Sequence, residues 1–117
     1  MKILAIDDQP ESQLMLKLVL SGSGHSLIKC QNAAEAQEIA EREQPAVILL
    51  DLNLPGFNIL EILAKLKASP LTQPARILIL SGSTESEDIK AALTAGAEGF
   101  LMKPVERSQL MTMLGKS

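Results

Sequence analysis

A chain of 117 residues with 46% hydrophobic residues and a formal net charge of −3 can bury one core and make one domain, 1–117. The acidity excludes an electrostatic footprint for direct nucleic-acid binding by this chain. No apolar run approaches the ~20 residues that cross a bilayer. The single cysteine, Cys30, cannot close an internal disulfide, and Met1-Lys2-Ile3 opens a strand rather than a signal peptide, so a cytoplasmic setting is expected.

Apolar runs of strand length alternate with helical patterns along the chain. Residues 2–6 read as a first strand. Pro10 suits the first turn of a helix with Leu14, Met15, Leu18 and Val19 inward, stopped at Ser21-Gly22-Ser23-Gly24. His25 is expected in a solvated loop. Residues 26–30 form a second, more polar strand, placed at the sheet edge, with Cys30 as a small buried side chain. Asn32 and Glu35 have capping spacing for a helix with Ala36, Ile39 and Ala40 inward, closed by Pro45. Glu35, Glu38, Glu41 and Glu43 read as its solvated face.

The third strand is 47–50. Asn58 and Glu61 repeat the capping spacing and open a helix with Ile59, Ile62, Leu63 and Leu66 inward. A loop leads to a fourth strand, 77–80. Thr84 and Glu87 form a further capping pair for a helix with Ile89, Ala92 and Leu93 inward, and Gly96 stops it. Residues 98–102 are a fifth strand, Lys103-Pro104 follows, and a last helix carries Leu110, Met113 and Leu114. With Phe57 and Phe100 the only aromatics, the five methionines are expected to fill core gaps or line that last helix.

Five such β–α repeats predict an α/β fold: a three-layer, doubly wound (βα)5 sandwich on a five-stranded parallel sheet, order 2-1-3-4-5, flavodoxin-like. Apolar strands 1, 3, 4 and 5 imply burial on both faces. Ligands then bind outside the carboxyl ends of the strands. Three of the four aspartates crowd that edge: Asp7 and Asp8 after strand 1, Asp51 after strand 3. Asn53, Ser81 and Lys103 lie at the same edge. Taken singly, Asp51 could be a turn cap and Asp7-Asp8 a solvated loop; together, three carboxylates opposite a lysine call for a cation. Oxygen ligands suit Mg2+, and no Cys/His cluster suits zinc. A carboxylate, a hard cation, a hydroxyl and an ammonium around one point fit phosphoryl transfer to the carboxylate.

Asp7-Asp8, Asp51 in Leu-Asp-Leu-Asn-Leu-Pro-Gly, Ser81-Gly82, Ala95-Gly96-Ala97, Phe100 and Lys103-Pro104 resemble, in order and over the whole chain, the receiver domain of two-component response regulators. The resemblance implies that Asp51 is the phosphoacceptor, charged by a sensor histidine kinase or phosphotransfer protein. It implies that Asp8, Asp51 and the Asn53 carbonyl hold Mg2+, with Asp7 helping. Lys103 would pair with Asp51 and then with the phosphoryl group, its bond to Pro104 cis. Ser81 and Phe100 would carry the switch to the surface of helix 4, strand 5 and helix 5. Asn58-Ile59 stands where many receivers have Asp-Gly, and Phe100 where Tyr is frequent. Asn53 and Ser83 fall at positions that tune phosphoryl lifetime in the family.

The implied protein is a signalling acceptor, not a turnover enzyme. The alternative is a Mg2+-dependent aspartyl-phosphate phosphatase, although Asn53 occupies its second acidic place. A flavin or nucleotide binder is a third class, disfavoured by the acidic first loop. The chain ends soon after the last helix at Ser117, so a stand-alone receiver and a piece of a longer regulator both remain open, as do the output partner and a phosphorylation-dependent dimer.

Overall fold

Five strands form close to where the apolar runs predict them: β1 (Lys2–Ile6), β2 (Ser26–Cys30), β3 (Val47–Asp51), β4 (Arg76–Ser81) and β5 (Gly99–Met102). The computed structural model describes residues 1–82 and 87–115. Every neighbouring pair is parallel, and the order is β2-β1-β3-β4-β5, as expected. Helices α1 (Pro10–Leu20), α2 (Ala36–Glu43), α3 (Ile59–Ala68), α4 (Glu87–Thr94) and α5 (Arg107–Leu114) follow the strands in turn. Asp51 and Ser81 are the last residues of their strands rather than the first beyond them.

Because strand side chains alternate, the apolar runs feed two cores. Ile3, Ala5, Val47, Leu49, Leu78, Leu80 and Leu101 pack on one face with Leu16 and Leu20 of α1 and Leu110 and Leu114 of α5. Leu4, Ile6, Ile48, Leu50, Ile77 and Ile79 pack on the other with Ala36 and Ala40 of α2, Leu63 and Leu66 of α3 and Ala92 of α4. These are the three layers. Leu63 is fully buried. Its replacement by Ala is expected to cost ~2–5 kcal/mol of stability. Urea unfolding followed by circular dichroism reads this directly; the chain has no Trp or Tyr for fluorescence.

Local signals set the helix starts. Pro10 occupies the first turn of α1. The Asn58 carboxamide oxygen accepts from the N–H groups of Leu60 and Glu61. Asn32 caps in the same way, accepting from Ala34 N–H, but it opens a short 3-10 turn, Ala33–Glu35, before α2 begins. Gly96, at φ +118, ends the turn after α4, where a side chain would be strained. Thr84 of the predicted cap of α4 lies outside the described residues.

Four expectations about packing are corrected. In α1 the inward face is Gln13, Leu16 and Leu20, with Val19 partly covered; Leu14, Met15 and Leu18 are 54%, 44% and 60% exposed. This helix is apolar nearly all round, so two faces satisfy the same period and the sheet selects one. Strand β5 is not buried on both faces: Gly99 and Phe100 are half-buried and Met102 is exposed, because β5 is the second edge strand. Leu93 of α4 faces outward. Among the methionines, Met111 and Met113 line the last helix against the core, while Met1, Met15 and Met102 are exposed rather than gap fillers. Cys30 is buried as expected, and desolvation pushes its thiol pKa up.

Candidate functional site

The pleat decides what meets at the carboxyl edge. Asp7 continues the alternation of Ile3 and Ala5, Asp51 that of Val47 and Leu49, and Lys103 that of Leu101. All three therefore emerge on the side of the sheet covered by α1 and α5. Lys103 Nζ donates to Asp7 Oδ2 at 2.9 Å, to Asp51 Oδ2 at 3.0 Å and to Ser12 Oγ at 3.2 Å. Both carboxylates are buried, and the Lys103 side chain is 23% exposed. Their outer oxygens are held by the backbone. Gln9 N–H donates to Asp7 Oδ1 at 3.0 Å, and Asn53 N–H to Asp51 Oδ1 at 3.1 Å. Lys103 is itself anchored by its N–H to the Ser81 carbonyl at 2.7 Å, and its peptide bond to Pro104 is cis, as expected.

Asp8 is the exposed member of the group. One carboxylate oxygen from each of Asp7, Asp8 and Asp51 lies within 4.8 Å of the others. Converging carboxylates with one of them in solvent suit a hard, partly hydrated divalent ion such as Mg2+. The exposed Asn53 adjoins the cluster through its N–H on Asp51, and Gly56, at φ +82, turns the chain just beyond.

Ser81 and Phe100 belong to the other face. Ser81 continues the alternation of Ile77 and Ile79 and is buried. Phe100 pairs in register with Ile79 and packs half-buried against the core under α3 and α4. The pair thus lies on the far side of the sheet from Lys103, joined to it by the Lys103 N–H on the Ser81 carbonyl. Ser83 lies outside the described residues. His25 keeps to its loop, with Nδ1 3.0 Å from the N-terminal amine and away from the acidic edge.

Sequence reasoning missed three residues of α1 and its approach. Ser12 is the third acceptor on Lys103, and its hydroxyl also donates to Gln9 Oε1 at 3.3 Å. Gln13 is buried with its amide under the β1 exit. Their one available signal was position: polar residues in the first turns of a helix that follows Asp7-Asp8.

Burial raises the Asp51 carboxyl pKa above the ordinary 3.8; the Asn53 N–H and Lys103 oppose this, and the Asp7 charge adds to it. Burial alone would lower Lys103, but its hydrogen bonds to Asp7 and Asp51 and their charges carry it above 10.5. The folded Asp51 therefore binds its proton more tightly than the unfolded chain does. Its contribution to stability is largest below the unfolded pKa and is lost as pH rises through the folded pKa. In metal-free protein, the Asp51 carboxyl carbon is expected to titrate above 3.8 by NMR. Asp51→Asn, which removes the ionisation, should raise the metal-free melting temperature at neutral pH.

A buried pair of aspartates sharing one lysine, with a third aspartate in solvent at the switch edge of a 2-1-3-4-5 sheet, defines an α/β protein with an acidic pocket at the carboxyl edge of its strands. The response regulator receiver domain family matches residues 3–115, and the chain belongs to that family. The nitrate/nitrite response regulator protein NarL of Escherichia coli K12 is 39% identical over 114 residues, which are 96% of this chain and 52% of NarL. The chain thus spans about half the length of that relative. The chemotaxis response regulator CheY4 of Vibrio cholerae superposes with a TM-score of 0.86 at 26% identity, covering 97% of this chain and 94% of CheY4. The receiver domain of the sensor histidine kinase PA1611 of Pseudomonas aeruginosa, solved with a magnesium ion in its active-site cleft, superposes with a TM-score of 0.86 at 26% identity, covering 97% and 93%.

Proposed function

We propose that this chain is a two-component receiver that takes a phosphoryl group onto Asp51 and turns that charge into a change of surface. The observation that carries the reading is the pair of hydrogen-bonded ion pairs from Lys103 Nζ to the two buried carboxylates Asp7 and Asp51. An Asp51 carboxylate oxygen attacks phosphorus, and the nitrogen of the donor's phosphohistidine leaves. Asp7, Asp8, Asp51 and the Asn53 carbonyl would hold Mg2+, which when bound would offset charge on the phosphoryl oxygens. Lys103, already directed at Asp51, pairs with the phosphoryl oxygens. Ser81 donates its hydroxyl to one of them from the opposite face. Phosphorylation adds about −1.5 to −2 charges beside a fixed ammonium, enough to bias a two-state element. Phe100, below Ser81 on the same face, passes the change to the surface of α4, β5 and α5. A target or output segment reads that surface, or a second copy does by dimerising.

The chain is thus a cytoplasmic signalling acceptor that assists its own phosphorylation and dephosphorylation, rather than an enzyme turning over phosphomonoesters. Its donor is a sensor histidine kinase or phosphotransfer protein. A cavity of about 310 Å3 lined by Glu11, Ser12, Met15, Lys103 and Pro104 opens beside the exposed Leu14, Met15 and Leu18, so α1 is the face where the donor is expected to dock. Leu18→Asp should slow transfer from a phosphorylated donor protein about tenfold or more, as loss of an apolar contact on docking does. It should leave uptake from acetyl phosphate unchanged.

The deciding experiment is intact-mass measurement after incubation with Mg2+ and acetyl phosphate. An acid-stable, base-labile phosphoryl adduct is expected. Absence of any adduct, together with release of phosphate from phosphomonoesters, would move the chain to the phosphatase class.

A further inference from the structure

We infer that Gln13 is a positioning residue for the phosphoryl site: its buried amide holds the backbone at the exit of β1 and thereby sets Asp7 and Asp8 toward the metal position. The inference rests on the reading of Asp51 as a Mg2+-dependent phosphoacceptor. Gln13 is 1% exposed, on the face of α1 that otherwise presents Leu16 and Leu20. Its Nε2 donates to the Ala5 carbonyl at 3.0 Å and the Asp7 carbonyl at 3.1 Å, with the Cys30 carbonyl at the margin, 3.4 Å away. The Asp7 N–H makes the last rung to β2, on the Cys30 carbonyl at 3.0 Å. Beyond that rung the chain leaves the sheet. The Gln13 amide takes over there and ties the departing Asp7 backbone to β1.

Stability alone is a weak reason for this side chain. Its Oε1 is buried with no partner among the described residues. Half of the amide has therefore lost water without replacement, which is unfavourable. An apolar residue of similar shape would fill the same space between Leu16 and the sheet. What the amide adds is direction. Asp7 is then held at four points: its N–H by the Cys30 carbonyl, its carbonyl by Gln13, Oδ1 by the Gln9 N–H and Oδ2 by Lys103. Asp8, the exposed ligand candidate, follows directly on that fixed peptide. Mg2+ requires short bonds in near-ideal octahedral geometry, so small shifts of the carboxylates weaken it. Partners that orient metal ligands typically govern affinity by 10–100-fold. Gln13 reaches none of the reacting groups, so its role is in affinity rather than chemistry.

The test compares wild type with Gln13→Met, similar in length and able to fill the space. The Mg2+ dissociation constant is measured by calorimetry, and uptake from acetyl phosphate as a function of Mg2+. For Gln13→Met the dissociation constant and the half-saturating Mg2+ concentration are both expected to rise about tenfold. The uptake rate at saturating Mg2+ should stay close to that of wild type. A merely structural role would lower the urea midpoint and leave the Mg2+ constant of the folded protein alone. A folded variant with wild-type Mg2+ affinity overturns the inference. If the variant does not fold, the Gln13 side-chain amide protons of wild type decide by NMR. Slow exchange and a shift on adding Mg2+ are expected; free exchange with no shift overturns it. A wild-type protein that takes neither Mg2+ nor phosphoryl overturns the phosphoacceptor reading itself, which separates the two failures.

Discussion

Asp51→Asn is expected to abolish phosphoryl uptake from acetyl phosphate or a phosphorylated donor, below detection by intact mass, while the protein stays folded. The amide has nearly the shape of the carboxylate. Its one carboxamide oxygen can replace only one of the two carboxylate oxygens that now accept from the Asn53 N–H and from Lys103. It lacks the anionic oxygen that attacks phosphorus. It also lacks the charge that burial and Asp7 disfavour, which is why the metal-free variant should melt higher rather than lower. The two effects have opposite signs and separate chemistry from folding. Undiminished adduct in Asp51→Asn would move the phosphoacceptor to another side chain, and Asp7 and Asp8 would be tested next.

Lys103→Ala should have the second-largest effect, and on three readouts. Its loss leaves Asp7 and Asp51 facing each other in a buried site without their shared cation. Breaking a buried pair costs ~3–5 kcal/mol, and the low end applies here because the lysine is partly exposed. Urea unfolding without metal should show that loss, and added Mg2+ should shrink it by mass action. Uptake should fall on the order of a hundredfold, as when a fixed donor to a developing anion is removed, but not to zero. The third readout is coupling. With beryllofluoride and Mg2+ bound, amide shifts near Asp51 should move while those around Phe100 stay close to the unbound values. Wild-type shifts at Phe100 in this variant would show that the signal reaches β5 by a route other than Lys103.

Much of this protein was readable one residue at a time. The strand runs, the caps Asn32 and Asn58, Pro10 at the start of α1 and Gly96 after α4 are local signals, set by backbone sterics and near-neighbour hydrogen bonds. β–α alternation makes the strands parallel and so brings Asp7, Asp8, Asp51, Ser81 and Lys103 to one edge. The roles expected of these residues, and of Phe100, came from the resemblance of their motifs to receiver domains.

The structure decided what periodicity leaves degenerate. Helix α1 carries Leu14, Met15, Leu16, Leu18, Val19 and Leu20, so more than one face has the helical repeat. Burial went to the face bearing Leu16 and Leu20, and Gln13 is buried with them, because the sheet selects that face. The partnership of Ser12 with Lys103 spans 91 positions, and that of Arg76 with the last turn of α5 spans 37 and 38. No local pattern encodes such pairs. The sequence by itself determined which chemistry stands at the sheet edge, because strand direction and motif spacing are local. Which side chains hold that chemistry in place was settled only by packing, where distant segments compete for the same buried space and hydrogen bonds.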